Sequence, residues 1–285
     1  MIKINSYEDV LKDFLLVCLS NIIRTVSYQK ESDLRVRKEL KSYEKGKAVT
    51  LFKQQVEEQI DRIIAYKNVS TSQTCNTRVY PCNSIDIASN AVEYIGKVDL
   101  IITSPPYATA LPYLDTDRLS LITLGLLKRE EHKNYEANMI GTREITEKQR
   151  RDLWTSYLEQ SFELPASIND VIQHVAKFNH LENVGFRRKN LPALLSKYFL
   201  SMGKALKSAK TMMKKGGKAY YIVGNNSTIL DGQKFEIQTP ELLFDLAEHV
   251  GWKKVSISSM ELLTSRDVFK ANQGTSEKIL ELVNK

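Results

Sequence analysis

One short segment of this chain carries a hydroxyl, two prolines and an aromatic ring directly after an apolar run. Residues 98–102 (VDLII) predict a buried parallel strand at the centre of a sheet, and Ser104, Pro105, Pro106 and Tyr107 end it. Two successive prolines fix φ and lack an N–H, so they form a stiff corner whose carbonyls can accept hydrogen bonds. We expect this corner at the carboxyl end of the strand, where ligands bind in open α/β sheets.

The corner has the groups needed to hold the exocyclic amino group of a nucleobase. Because the lone pair of that nitrogen is delocalised into the ring, a catalyst must bond both amino hydrogens and draw the lone pair out of the plane. The hydroxyl of Ser104 and the carbonyl of Pro105 can accept those bonds while Tyr107 stacks on a base swung out of the helix. No strong general base is required. A solvated surface turn is the alternative interpretation of the same residues.

The segment VDLIITSPPY resembles the catalytic motif of the amino-methylating DNA methyltransferases, (D/N/S)-P-P-(Y/F/W), in which serine is commonest in the cytosine-N4 group. Nearly the whole chain is similar to a family of DNA modification methylases, through the N-terminal helices, MIGTREI, the helix from FRRKN and TPELLFDLAEHVGW. The resemblance implies a Rossmann-like class I methyltransferase sheet. It also implies a site-specific DNA amino-methyltransferase of a restriction-modification or defence system, acting on cytosine N4 or adenine N6 with S-adenosyl-L-methionine as methyl donor.

The cofactor site implied by this resemblance is only partly present in the sequence. The family has glycine-aspartate where Cys82 and Asn83 stand, so the predicted cofactor contacts are Asn83, Ser84 and Thr103. The glycine-rich D-P-F-x-G-(S/T)-G turn is absent, since the twelve glycines include no G-x-G pair. In longer members of the family that half precedes this region. We therefore predict a split enzyme, a hetero-oligomer in which a second polypeptide supplies the D-P-F-x-G-x-G loop.

A net charge of +7 favours a polyanionic partner, which the resemblance implies is duplex DNA. Arg187, Arg188 and Lys189 precede a helix predicted at residues 192–214 and are the predicted phosphate contacts. Asn225 and Asn226 follow a predicted buried strand and are expected to bond a base or a phosphate, although turn formation also explains them. The basic segment at residues 29–47 is either a further phosphate contact or a solvated connector.

The cysteine and hydropathy patterns indicate where the protein works. Cys18, Cys75 and Cys82 are too few and too irregularly spaced for a disulfide framework or a zinc site. We therefore expect reduced thiols, no metal and a cytoplasmic protein. The apolar run FLLVCLSNII is too short to span a bilayer and lacks a signal-peptide cleavage pattern, so no membrane association is expected.

The elements that position the corner follow from hydrophobic periodicity and turn residues. Further helices are predicted at residues 7–27, 48–66, 86–95, 115–127 and 239–250, and up to about residue 180. Further strands are predicted at residues 78–82, 218–223, 253–260 and 279–283, the last at an edge, and residues 128–151 are predicted to be a charged loop. The predicted fold is α/β, with a mostly parallel sheet that is partial or completed by a partner.

Two domains are expected from this order of elements. Residues 1–70 would form a helical extension that docks on the partner, and residues 71–285 the catalytic domain. A helical target-recognition region would be inserted at about residues 128–190. Two other functions remain open: a non-catalytic nucleic-acid-binding or regulatory subunit that keeps the fold, and an RNA base methyltransferase with a related motif.

Overall fold

A computed structural model describes residues 8–29, 44–70, 76–109, 113–181, 184–261 and 276–285. Most of the basic segment at 29–47, the linker at 71–75 and Cys75 lie outside the described residues. Within the described ranges the chain divides into two units, of which the first holds residues 8–29, 44–70, 76–78 and 113–135 and the second holds the rest. The predicted domain boundary at residue 70 stays a prediction.

Helices form the first unit. Helix α1 (Asp9–Ile23) buries Cys18, Ile22 and Ile23 and packs on α2 (Lys47–Val69). Arg24, at the end of α1, donates a hydrogen bond of 2.9 Å to the Thr116 carbonyl in α4 (Tyr113–Thr123). The two N-terminal helices predicted from periodicity are therefore confirmed. Helix α2 buries none of its residues, so its apolar stripe is not a core face of this unit.

Four strands form the main sheet of the second unit, in the order β1 (Val98–Thr103), β2 (Met213–Val223), β6 (Ser276–Asn284) and β5 (Trp252–Glu261). Only β1 and β2 run parallel, while both pairs made by β6 are antiparallel. The prediction of a mixed α/β chain is confirmed. A mostly parallel sheet is wrong for the described strands, because the last strand inserts between β2 and β5 instead of lying at an edge.

Strand β1 lies at the edge of the described sheet and is not its centre. Ile101 stands opposite Ala219 and packs on the core, whereas Leu100 and Ile102 point to the other face and are 50% and 66% exposed. The parallel strand predicted at this position is confirmed, and its burial on both faces is wrong. An apolar sequence indicates that both faces of a strand can be buried. It does not indicate whether the same chain buries one face or both.

The opposite face of the sheet carries the main core. Helices α8 (Phe186–Met212) and α9 (Thr239–His249) pack on it, and Leu280 and Leu282 of β6 are each 1% exposed. The indole N–H of Trp252 donates to the Leu206 carbonyl of α8 at 3.1 Å. Helix α9 has the predicted bounds within one residue, whereas α8 begins six residues before the predicted start at Pro192.

The remaining elements correct several local predictions. Residues 76–82 form no strand, and a 3-10 turn (Ser84–Asp86) leads into the short helix α3 (Ile87–Asn90). The predicted charged loop contains α5 (His132–Asn138) and the start of α6 (Glu147–Gln160), because Thr146 and Gln149 form a capping box. Two elements complete the unit: α7 (Ala166–Leu181) and an unpredicted hairpin of β3 (Asn226–Leu230) and β4 (Gln233–Ile237).

The described helices do not combine the length and apolar character that crossing a bilayer requires. Cys18 and Cys82 carry free thiols, and burial raises the pKa of Cys18 above its ordinary value. A cytoplasmic location stays a prediction.

Candidate active site

The diproline corner lies where the parallel strands β1 and β2 end. Thr103, the last residue of β1, pairs with Tyr221 of β2, and Ser104 follows it with an exposed side chain. Pro105 is buried, while Pro106 and Tyr107 are half-buried. The corner therefore offers a hydroxyl to solvent on backbone that is anchored behind it, at the rim where the sequence predicted it.

The ring of Tyr107 contacts one residue of β6 and the residue that follows β2. Its hydroxyl donates to the carboxylate of Glu277 at the start of β6. The ring lies against Gly224, the residue after β2, where an added Cβ would be 3.4 to 3.5 Å from ring atoms. Burial raises the pKa of the Glu277 carboxyl above its ordinary value, as expected for a carboxylate with reduced access to water.

Asn226 fixes the chain just after Tyr107. Its amide nitrogen donates to the Ala108 carbonyl and to the Thr109 hydroxyl, the latter at 3.0 Å. Thr109 has a φ of 60°, which is rare and costly for a β-branched residue, so a bond to its side chain helps to hold that conformation. The turn predicted after β2 is thus on the same rim as the corner. The predicted contact of Asn226 with nucleic acid stays a prediction.

Asn225, next to it, has a different environment. Its amide nitrogen donates to the Glu236 carboxylate of β4 at 3.1 Å, and its side chain is exposed. The predicted contact of Asn225 with nucleic acid stays a prediction.

The predicted cofactor contacts have local structural partners. The side-chain oxygen Oδ1 of Asn83 accepts a 3.1 Å bond from the Ile85 backbone amide and caps the 3-10 turn that contains Ser84. This turn is joined to α8 through α3, whose Ala88 amide donates to the Ser208 hydroxyl at 3.2 Å. The backbone of Thr103 pairs with Tyr221 in the β1–β2 ladder. These residues, in a chain without a glycine-rich turn, do not by themselves fit S-adenosyl-L-methionine, which has an adenosine and a methionine moiety to be held.

The predicted basic cluster lies in the first turn of α8, not in a loop before it. Arg187 is largely exposed and forms a 3.1 Å ion pair with Glu144, Lys189 is exposed, and Arg188 is half-buried. Cations are disfavoured at the amino end of a helix, which carries partial positive charge. Helix stability therefore does not account for three successive basic residues, whereas an anion near them would gain from both the side chains and the dipole.

Sequence reasoning found the corner and missed what holds it. Glu277 is separated from Tyr107 by 170 residues and lies just outside the strand predicted at 279–283. The sequence singled out Asn226 as a ligand contact, and did not predict that its side chain holds residues 108 and 109. The available signal was the position of both residues at the ends of predicted strands that would share one rim.

No family model matches the sequence, and no curated protein matches it. Among solved structures the chain is similar to a candidate DNA modification methylase from Thermus thermophilus, at 11% identity and a TM-score of 0.25. The match covers 30% of this chain and 36% of that chain, so it spans about a third of either protein. A likeness this small carries no argument about the fold or the function.

Proposed function

We propose that this chain is the base-holding half of a split DNA amino-methyltransferase, with cytosine N4 as the preferred target and adenine N6 as the second. The observation that carries the proposal is the exposed Ser104 next to the buried Pro105, in a diproline corner at the carboxyl end of β1. Such a corner presents two oxygen acceptors in fixed positions. A chain kept only for binding has no chemical need of this arrangement.

The residues of the corner would act on the base by position and not by proton abstraction. The hydroxyl of Ser104 and the carbonyl of Pro105 would accept the two amino hydrogens and turn the nitrogen lone pair out of the base plane. Extruding the base from the duplex costs unstacking energy. Stacking of the extruded base on the ring of Tyr107 would offset part of that cost. Because the residues that the structure describes do not by themselves fit the cofactor, we propose that S-adenosyl-L-methionine is held jointly with the second polypeptide.

The open side of β1 supports a second polypeptide. Leu100 and Ile102 are largely exposed on a strand that pairs with β2 alone among the described strands. Parallel strands are normally covered on both faces, and an edge strand exposes unpaired N–H and C=O groups that can pair with another chain. A partner that adds a strand here would bring its own residues next to the diproline corner.

Duplex DNA is the proposed substrate because the chain is basic and carries Arg187, Arg188 and Lys189 at one helix end. Contacts to phosphate position a protein on DNA without reading sequence. Arg187→Ala and Lys189→Ala should therefore weaken binding to all duplexes alike and lower its salt dependence, with a slope change of about one for each phosphate that is no longer neutralised.

Transfer of labelled methyl groups tests the function directly. The second polypeptide would be sought in the neighbouring reading frame, as a protein with the D-P-F-x-G-x-G loop. The chain would be assayed with and without this neighbouring gene product, on unmethylated duplex DNA and on RNA. We expect label in DNA only when both proteins are present. Label in RNA alone would show that RNA, and not DNA, is the substrate. No transfer to either polymer by the assembled pair would contradict an enzymatic role.

A non-catalytic nucleic-acid-binding subunit is the second candidate. The capping role of Asn83 and the missing glycine turn favour it, because both weaken the cofactor site of this chain. This candidate predicts that the partner transfers methyl groups at the same rate with the wild-type chain and with a Ser104→Ala chain.

A further inference from the structure

We infer that Glu277 is a positioning residue that sets the plane of the Tyr107 ring from across the sheet. The inference rests on the proposed function, since it assigns Tyr107 the stacking role given above. It adds a residue from the last strand of the chain to the rim, where the sequence pointed only to β1 and β2.

The strand register shows which side of the sheet Glu277 faces. In β6, Ile279 pairs with Ile222 and Glu281 pairs with Tyr220, so these alternate residues share the half-exposed face opposite the α8–α9 core. Glu277 is two residues before Ile279 and lies on that same face. Val223 pairs with Lys278, so the same register carried one residue further places Gly224 beside Glu277.

Tyr107 therefore reaches Glu277 by crossing over Gly224. Gly224 lies beside the hydroxyl end of the ring, since an added Cβ would be 3.4 Å from Cζ and 3.5 Å from the hydroxyl oxygen. The ring also packs against the hydrophobic core of this unit. The hydrogen bond from the Tyr107 hydroxyl to the Glu277 carboxylate fixes the hydroxyl end of the ring. Burial raises the pKa of the Glu277 carboxyl. The same reduced access to water strengthens the hydrogen bond that the carboxylate accepts from the phenol.

A ring fixed before the base arrives loses less conformational entropy on stacking than a mobile one. Loss of the Glu277 carboxylate should therefore act on the productive alignment of the base more than on duplex affinity. Glu277→Leu should lower kcat of the assembled enzyme about tenfold, the effect of losing one hydrogen bond to a charged group, and leave KM for DNA nearly unchanged. Glu277→Gln keeps an acceptor oxygen and should restore most of the rate.

A double-mutant cycle with Tyr107→Phe separates positioning from a general structural role. Tyr107→Phe keeps the ring and removes the hydroxyl, so adding Glu277→Leu to it should cause no further loss of kcat. Additive losses in the double variant would show that Glu277 acts by another route and would overturn the inference.

Nuclear magnetic resonance of the full chain with tyrosine labelled with ¹³C at Cζ tests the contact without any activity. The Tyr107 signal, identified by its loss in Tyr107→Phe, should shift in Glu277→Leu. Glu281→Leu is the matched control on the same strand face, because Glu281 accepts a 3.2 Å bond from Tyr220, whose signal should shift instead. An unchanged Tyr107 signal in Glu277→Leu would overturn the inference and leave the proposed function standing. Wild-type transfer by Tyr107→Leu would instead contradict the proposed function.

Discussion

Ser104 combines an exposed hydroxyl with a backbone that Pro105 and Pro106 hold rigid. A mobile serine would have to be ordered each time a substrate bound, whereas this one is already in place. Residue chemistry and local geometry agree at this position. It was predictable because strand, serine and prolines are contiguous in the sequence.

Ser104→Ala should slow methyl transfer by the assembled pair about tenfold, which corresponds to about 1.4 kcal/mol for one lost hydrogen bond. Duplex affinity should be almost unchanged, since phosphate contacts provide most of it. Rates and binding would be measured on the same duplex. Ser258→Ala, an exposed serine on β5, is the control and should change neither quantity. Methyl transfer by Ser104→Ala at the wild-type rate would show that the hydroxyl has no role in the reaction.

Burial also changes the pKa of Lys197 in α8. Its ammonium donates to the carbonyls of Ala137 and Met139, the latter at 3.2 Å, and burial lowers its pKa from 10.5 to about 8. A lysine in the middle of a helix gives no sequence signal of this kind, because the carbonyls come from a segment 58 and 60 residues away.

The lowered pKa of Lys197 makes stability depend on pH. Between pH 8 and 10.5 the unfolded chain binds a proton that the folded chain has released, so the free energy of unfolding contributed by Lys197 rises with pH. Lys197→Met lacks this contribution, and its stability relative to wild type should fall across that interval. Chemical denaturation at each pH measures it, with the exposed Lys204→Met as control. A constant difference across the interval would refute the lowered pKa.

At the scale of elements, β1 departs most from what its sequence predicted. Its apolar residues predicted full burial, and the described chain covers only one face, leaving Leu100 and Ile102 exposed. Hydrophobic composition does not distinguish a strand buried by its own chain from one buried by a partner. The difference between prediction and structure is what supports a second polypeptide.

Ile102→Glu tests that interpretation. Burying a charge in place of an apolar side chain should cost at least about 1.5 kcal/mol of association with the neighbouring gene product, or about tenfold. Folding of the chain itself should be intact, because Ile102 is 66% exposed. Co-purification and sedimentation measure assembly, and Val255→Glu on β5, where Val255 is 49% exposed, is the control. Equal assembly by both variants would exclude this face as the interface.

The β3–β4 hairpin was missed although its signal is present. Asp231 and Gly232 have φ values of 49° and 71°, the two positive values of a type I′ turn, and Asp-Gly between alternating residues is a hairpin signal. The hairpin begins at Asn226, which supports the corner. Its turn therefore matters for the geometry of the rim.

Gly232→Ala should lower the free energy of unfolding by about 1 kcal/mol, because alanine is disfavoured at positive φ. Denaturant titration measures the change. Gly203→Ala is the control, since Gly203 lies inside α8, has no positive φ, and an added Cβ would be 3.6 Å from Leu246, an ordinary contact. A loss as large in Gly203→Ala would contradict the role of the turn.

For the whole molecule, local patterns predicted the helices and the parallel strand pair, while the sheet order depended on long-range pairing. The position of β6 between β2 and β5 brings Glu277 to the rim, and only the assembled fold reveals it. The missing glycine-rich turn, in contrast, is visible in the sequence alone. We propose from both that the chain supplies a base-holding corner and must share its cofactor site.

Calorimetric titration with S-adenosyl-L-methionine tests whether the chain needs a partner to hold the methyl donor. The purified chain and its assembly with the neighbouring gene product would be titrated under identical conditions. We expect no measurable binding by the chain alone and saturable binding by the assembly. Tight binding by the isolated chain would contradict the account, because it would show that this polypeptide needs no partner to hold the methyl donor.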